Sequence, residues 1–247
     1  MLKAEFYYGI SGLSIPVSRE NYPPEFRDKT RLEYYASLFN SLEVNSSFYK
    51  TPQARTVEKW VSLVPDGFTF TFKLSKAITH NKKLVFNEDD IEPFMKVIDV
   101  ASQKKGTLLI QLPPSITIES INPLQELLSG IRYHNEQQWP VAVEVRHSSW
   151  HEREFYEILE EYDAVPVIHD IPASASPLAN DRSPIIYLRF HGPEPRYRGS
   201  YTDTFLKEYA KRIDDWRLQQ KTVYCYFNNT MGAAVHNLQT MLSFISK

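Results

Sequence analysis

Glu43, Lys73, Glu144, Arg146 and Arg189 each sit at or near the end of a short run that alternates apolar with polar side chains. Alternation with period two is the pattern of a β-strand, whose side chains point to opposite faces in turn. The clearest case is the stretch 185–192, with Ile186, Leu188 and Phe190 on one face and Tyr187, Arg189 and His191 on the other, followed by Gly192. The chemistry open to such a set is specific. Guanidinium forks grip carboxylate or phosphate oxygens two at a time, so Arg146 and Arg189, with Lys73 beside them, suit a small anionic ligand. Glu43 or Glu144 can act as general base, and His191 can carry a proton near neutral pH. Lys73, crowded by two arginines, would have a lowered pKa and could add to a carbonyl as a Schiff-base nucleophile, although a strand-end lysine is more often a charge partner. The expected catalytic residues are therefore Glu43, Lys73, Glu144 and His191.

Eight alternating segments supply the strands that must position these groups, at 6–11, 42–48, 68–73, 107–112, 141–146, 164–170, 185–192 and 222–228. Between them run segments with helical spacing. Examples are Leu32, Tyr35, Ala36 and Phe39 behind a Thr30/Glu33 capping box, and Ile121, Leu124, Leu128 and Ile131. Seven such helices are expected. The stretch after the sixth strand, with Pro172, Pro177 and Pro184, reads as irregular, so the sixth helix should be missing or irregular.

Strand–helix alternation over 247 residues, without a repeat, linker or glycine-rich nucleotide fingerprint, predicts a single TIM-type (β/α)8 barrel spanning 1–247. In such a barrel the functional end is the carboxyl end of the strands. Parity then selects inward residues nearest that end: Ser11, Glu43, Asn45, Lys73, Gln111, Glu144, Arg146, Arg189, His191 and Asn228. Substrate contacts are expected from Asn45, Gln111, Arg146, Arg189 and Asn228. The plainer alternative is that the charges pair with one another, since buried ions are costly unless paired.

Composition narrows the classes. With 42% hydrophobic and 23% charged residues the chain is an ordinary globular one, and a net charge of −2 gives no basis for a large basic nucleic-acid surface. One cysteine, Cys225, excludes an intrachain disulfide. No run approaches membrane-spanning length, so a cytoplasmic location without membrane association is expected. No cofactor is expected. One alternative is a metal-assisted phosphodiester hydrolase with a divalent metal on Glu43, Glu144, His169, Asp170 or His191, lacking any His-x-x-x-His or cysteine pair, and another is a non-catalytic binding module using the same mouth. Nucleic acid is a further alternative, prompted by Arg196–Tyr197–Arg198–Gly199–Ser200–Tyr201, a loop that reads better as a cover over the mouth. The oligomeric state is not written in the sequence.

Several motifs together carry a resemblance. They are Glu43–Val44–Asn45–Ser46–Ser47–Phe48–Tyr49, Ile78–Thr79–His80, Gln111–Leu112–Pro113–Pro114, Glu144–Val145–Arg146–His147–Ser148–Ser149–Trp150, Tyr187–Leu188–Arg189–Phe190–His191–Gly192 and Tyr226–Phe227–Asn228–Asn229, with Tyr197, Gly199 and Tyr201. Over nearly its whole length the chain resembles the YecE-like family, domain of unknown function 72. The resemblance implies a β/α barrel and no established reaction, and its motifs add His80, Tyr197 and Asn229 to the expected substrate contacts. Two positions depart from the family pattern at the expected mouth: Leu13 stands for a tryptophan and Thr230 for an aspartate.

Overall fold

The structure, a computed structural model, describes residues 4–177 and 183–246. Eight parallel strands, β1 (Phe6–Ile10), β2 (Ser41–Val44), β3 (Thr69–Lys73), β4 (Lys105–Gln111), β5 (Val141–Glu144), β6 (Ala164–His169), β7 (Ile185–Phe190) and β8 (Thr222–Phe227), run in the order β1-β8-β7-β6-β5-β4-β3-β2. The helices between them are α1 (Arg31–Leu38), the single turns α2 (Ser46–Tyr49) and α4 (Lys76–Thr79), and α3 (Ala54–Ser62), α5 (Ile91–Asp99), α6 (Ile121–His134), α7 (Arg153–Glu161), α8 (Asp203–Leu218) and α9 (Ala234–Phe244). Among the described residues seven helices exceed one turn of α-helix, and none lies between β6 and β7. Residues 178–182 of that connection lie outside the described residues, so the reading of an irregular sixth helix extends beyond them. No helix among the described residues is long and apolar enough to cross a membrane.

The alternation in the sequence sorts the two cores. Outward faces such as Phe70 and Phe72, Ile186, Leu188 and Phe190, and Val223, Cys225 and Phe227 pack on the helices as one apolar layer. Phe70 and Phe72 are wholly buried there, so trimming either to alanine would cost roughly 3–5 kcal/mol. Inward residues form a separate, smaller cluster of Leu109, Ala142, Val165, Val167, Tyr187, Tyr224 and Tyr226. Hydroxyls stitch its polar side: Tyr226 meets Ser41 at 2.6 Å and Thr71 at 2.9 Å, and Thr71 meets Thr107 at 3.1 Å.

The junction of β1 with β2 differs from the others. Beyond a single bridge pairing Ser11 with Glu43, side chains take the place of the backbone ladder. The Asn40 amide accepts from the Tyr8 N–H and donates to the Phe6 carbonyl, both at 2.8 Å. Tyr35, from α1, accepts from the Ile10 N–H and donates to the Ser41 carbonyl, again at 2.8 Å. Glycine is required opposite this phenol, because a Cβ on Gly9 would lie 2.0 Å from the Ser41 carbonyl oxygen.

One expected strand is shorter than its alternation suggests. The ladder of β2 with β3 stops at Val44 against Phe72, and the chain turns into α2. The Ser47 hydroxyl explains the turn, donating to the Val44 carbonyl at 2.7 Å and to the Lys73 carbonyl at 2.8 Å, a local competition with strand pairing that serine and asparagine favour. Asn45 is thus a helical turn residue rather than an inward strand residue.

Candidate active site

Arg189, at the end of β7, is fully buried in the middle of the mouth. Its Nε donates to Glu43 Oε2 at 2.9 Å and its Nη2 to Glu43 Oε1 at 2.7 Å, a two-point fork. Nη2 also donates to the Ser11 hydroxyl at 3.0 Å, and Nη1 to Glu144 Oε2 and to His191 Nε2, the latter at 3.3 Å. A guanidinium has five N–H groups. All of those of Arg189 are taken.

Glu43 completes its shell with the Ser11 hydroxyl and with Tyr187, whose OH donates to Oε2 at 2.7 Å. Burial alone would raise the pKa of this carboxyl, but the Arg189 charge and these donors outweigh it and hold the group below the usual carboxylate range. Glu144 is held well below that range: burial opposes, and the charges of Arg146 and Arg189 win. Both carboxylates stay ionised, and both are occupied.

Arg146, two residues beyond Glu144, donates through Nε to Glu144 Oε1, through Nη1 to the Tyr197 hydroxyl at 2.9 Å and through Nη2 to His191 Nε2 at 3.0 Å. Among the described residues this leaves two of its N–H groups without a partner. His191 thereby has a fixed tautomer. Guanidinium groups only donate, so Nε2 carries the lone pair and the ring proton sits on Nδ1, 3.4 Å from Asp170 Oδ1. Burial lowers the pKa of His191 against the opposing Glu144 and Asp170 charges, so the ring is neutral. Asp170 also accepts from the His191 backbone N–H at 2.8 Å and from the Tyr201 hydroxyl.

Lys73 is placed differently. It is 7% exposed at the end of β3, and its Nζ lies 3.9 Å from the centroid of the Phe48 ring. Among the described residues the amine makes no hydrogen bond or ion pair. Burial, and then the Arg189 charge, lower its pKa to about 7 against the pull of Glu144 and Glu43. His80 stacks edge-on against the same Phe48 ring at 4.7 Å and holds the Thr79 hydroxyl at 2.9 Å. Partial burial and the neighbouring Lys73 and Arg146 charges bring its pKa to about 4.

The structure brings Glu43, Lys73, Glu144, Arg146, Arg189, His191 and Tyr197 together, with Gln111 paired in register to Glu144. Asn228, buried at the end of β8, donates its backbone N–H to the Phe190 carbonyl at 2.7 Å. Asn45 keeps a buried, unpartnered Oδ1 within its turn. Asn229 Nδ2 donates to the Gly199 carbonyl at 3.1 Å and to Asn237 Oδ1 at 3.0 Å, tying the 192–201 loop to α9, while its Oδ1 is buried without a partner. That loop covers the mouth through Tyr197, which is 38% exposed. Leu13 lines a cavity of about 580 Å³ with Leu32, Trp60 and Leu63.

Asp170, Tyr187, Tyr201 and His169 were not singled out as contacts by sequence reasoning. Tyr187 carried a signal, sharing a face with Arg189; Tyr201 stood among the motif residues, but its pairing with Asp170 depends on how the loop folds. His169 is spoken for, its Nε2 meeting the Val145 carbonyl at 2.9 Å and its Nδ1 accepting the Ile171 N–H at 3.2 Å. Among the described residues no three His, Cys, Asp or Glu side chains are grouped as a metal ion would require.

The family described as protein of unknown function DUF72 matches residues 7–247. The chain belongs to the DUF72 family. It is similar to UPF0759 protein YunF of Bacillus subtilis (strain 168), 28% identical over 258 residues, covering 91% of this chain and 89% of YunF. UPF0759 protein YecE of Escherichia coli (strain K12) is 29% identical over 118 residues, 48% of this chain and 42% of YecE. The crystal structure of the DUF72 family protein TM1631 from Thermotoga maritima MSB8 superposes with a TM-score of 0.76 at 25% identity, covering 97% of each chain. The β/α barrel read from the strand pattern is thus the architecture of DUF72 proteins.

Proposed function

We propose that this DUF72 protein is an enzyme acting on a small carboxylate- or phosphate-bearing substrate held at the carboxyl ends of the strands. The observation that carries the reading is the contrast between its two arginines. Arg189 has no N–H left to offer, whereas Arg146 keeps two beside Tyr197 at the rim, suited to a two-point grip on an anion. Arg189 is then a strut that fixes Glu43 and Glu144, and Arg146 is the anion contact.

Glu43 and Glu144 balance Arg189 and Arg146, and Asp170 adds a third carboxylate through His191. The reacting group is Lys73, the one expected catalytic group whose pKa of about 7 leaves free amine near neutrality. His191, with its lone pair held by two guanidinium groups, orients Arg146 instead.

The test is thermal melting of the full chain across a panel of inorganic phosphate, sugar acids, 2-hydroxy acids and nucleotides, with Arg146→Met in parallel. A rise in Tm with at least one anion that Arg146→Met abolishes is expected. Equal shifts in both proteins, or none in either, overturn the reading.

A further inference from the structure

The proposed anion site leaves one reactive group unexplained by binding alone. The Lys73 amine stands at the mouth, 7% exposed, with the π-face of Phe48 at 3.9 Å as its close contact and no carboxylate within ion-pair distance among the described residues. Lysine amines in protein interiors are ordinarily neutralised by a carboxylate, because an unpaired buried ammonium is costly. Here two carboxylates lie in the same mouth, and each is saturated by arginine donors: Glu43 by Arg189, Tyr187 and Ser11, and Glu144 by Arg146 and Arg189. The arginines thus hold the carboxylates away from the lysine. That is the arrangement a nucleophilic amine needs, since an amine paired to a carboxylate keeps its proton and its lone pair is unavailable.

Resting on the anion-site reading, we infer that Lys73 forms an imine with an anionic carbonyl compound, of which a 2-oxo acid is the simplest class, with the acid group on Arg146 and the carbonyl at the lysine. The step balances without a further reactant. The Nζ lone pair adds to the carbonyl carbon while the C=O pair moves to oxygen. A proton passes from nitrogen to that oxygen, and the hydroxyl departs as water with the second nitrogen-bound proton as C=N forms. Nothing is oxidised or reduced. The low pKa of Lys73 supports this chemistry, because at pH 7 it gives on the order of 10³ times more free amine than an ordinary surface lysine. The Phe48 ring face, 3.9 Å from Nζ, attracts the ammonium form and so works against the burial and the Arg189 charge that favour the free amine.

The experiment incubates the full chain at pH 7 with pyruvate and sodium borohydride, which reduces C=N to a stable secondary amine, and locates the adduct by peptide mass spectrometry. L-lactate, with the same acid group and no carbonyl, serves in melting experiments as the binding control. One reduced pyruvyl group per chain on Lys73, at least about tenfold over exposed lysines such as Lys50 or Lys83, is the expected result. Labelling spread evenly over surface lysines, or no label on Lys73 with either pyruvate or glyoxylate, overturns the imine. If lactate raises Tm through Arg146 while Lys73 stays unlabelled, the imine falls and the anion site stands. If Lys73 is labelled equally in wild type and Arg146→Met, the imine stands and Arg146 is not its anchor. No variant need fold for the main readout, which is made on the unaltered chain.

Discussion

Arg189 and Glu43 meet in a two-point fork at the centre of the barrel, both fully buried, with heavy-atom distances of 2.9 and 2.7 Å. A charge pair of that kind holds geometry more than it adds stability, because its desolvation offsets much of its attraction. Removing one partner is another matter.

Arg189→Met or Glu43→Gln alone leaves the other partner buried without a full set of contacts. Each should lower unfolding stability by roughly 3–5 kcal/mol, read by urea denaturation. The double variant should lose less than the sum of the singles. Strict additivity would show that the fork is not an interacting unit.

Acid should unfold the protein through these same carboxyls. Glu43, Glu144 and Asp170 have folded pKa values below their unfolded ones. Their stabilising contribution is full above the unfolded carboxylate pKa and is lost as pH falls through the lower folded values. Stability should fall from pH 6 downward as His80, His169 and His191 protonate in the unfolded chain first, and the fall should steepen below the unfolded carboxylate pKa. Glu144→Gln should make that steeper part shallower by up to one proton, about 1.4 kcal/mol per pH unit.

Lys73 gives a slope of the same sign in a higher pH window, but its shift destabilises the fold where the group is charged. Its folded pKa of about 7 lies below that of an unfolded lysine, so between pH 7 and about 10 the unfolded chain binds more protons and native stability rises with pH. Below pH 7 the fold carries a buried ammonium. Lys73→Met should therefore be more stable than wild type at pH 6, on the order of a few kcal/mol, with the advantage shrinking toward pH 10. A pH-independent difference in urea midpoints would contradict the placement of the amine.

Gly192 holds φ at +101°, and a Cβ there would lie 2.2 Å from the Arg198 carbonyl oxygen. Gly192→Ala should displace the 192–201 loop and free Arg146 from Tyr197, at a cost of about 1–3 kcal/mol. Trypsin should then cut after Arg196 or Arg198 faster than in wild type. Unchanged cleavage would mean that the loop's close approach is not needed to hold it.

The barrel was legible because alternation reports side-chain direction directly: Tyr187, Arg189 and the phenylalanines of β3 all stand on the faces assigned by parity. Parity failed at Asn45, where the Ser47 hydroxyl ends the strand after Val44. Residue type alone also did not separate the two arginines: Arg189 spends every donor inside the protein, and Asp170 joins the cluster from the end of β6. Hydrogen-bond saturation is a property of three-dimensional neighbours, and residue type alone does not reveal it.

Because Asn40 and Tyr35 fasten β1 to β2, the cylinder is in effect a rolled sheet closed by a clasp. Seven junctions are zipped along the main chain, and the eighth is buttoned through one amide and one phenol below a single backbone bridge. That seam ends at Ser11 and Glu43, so the fastening of the barrel and the floor of its mouth share the same residues.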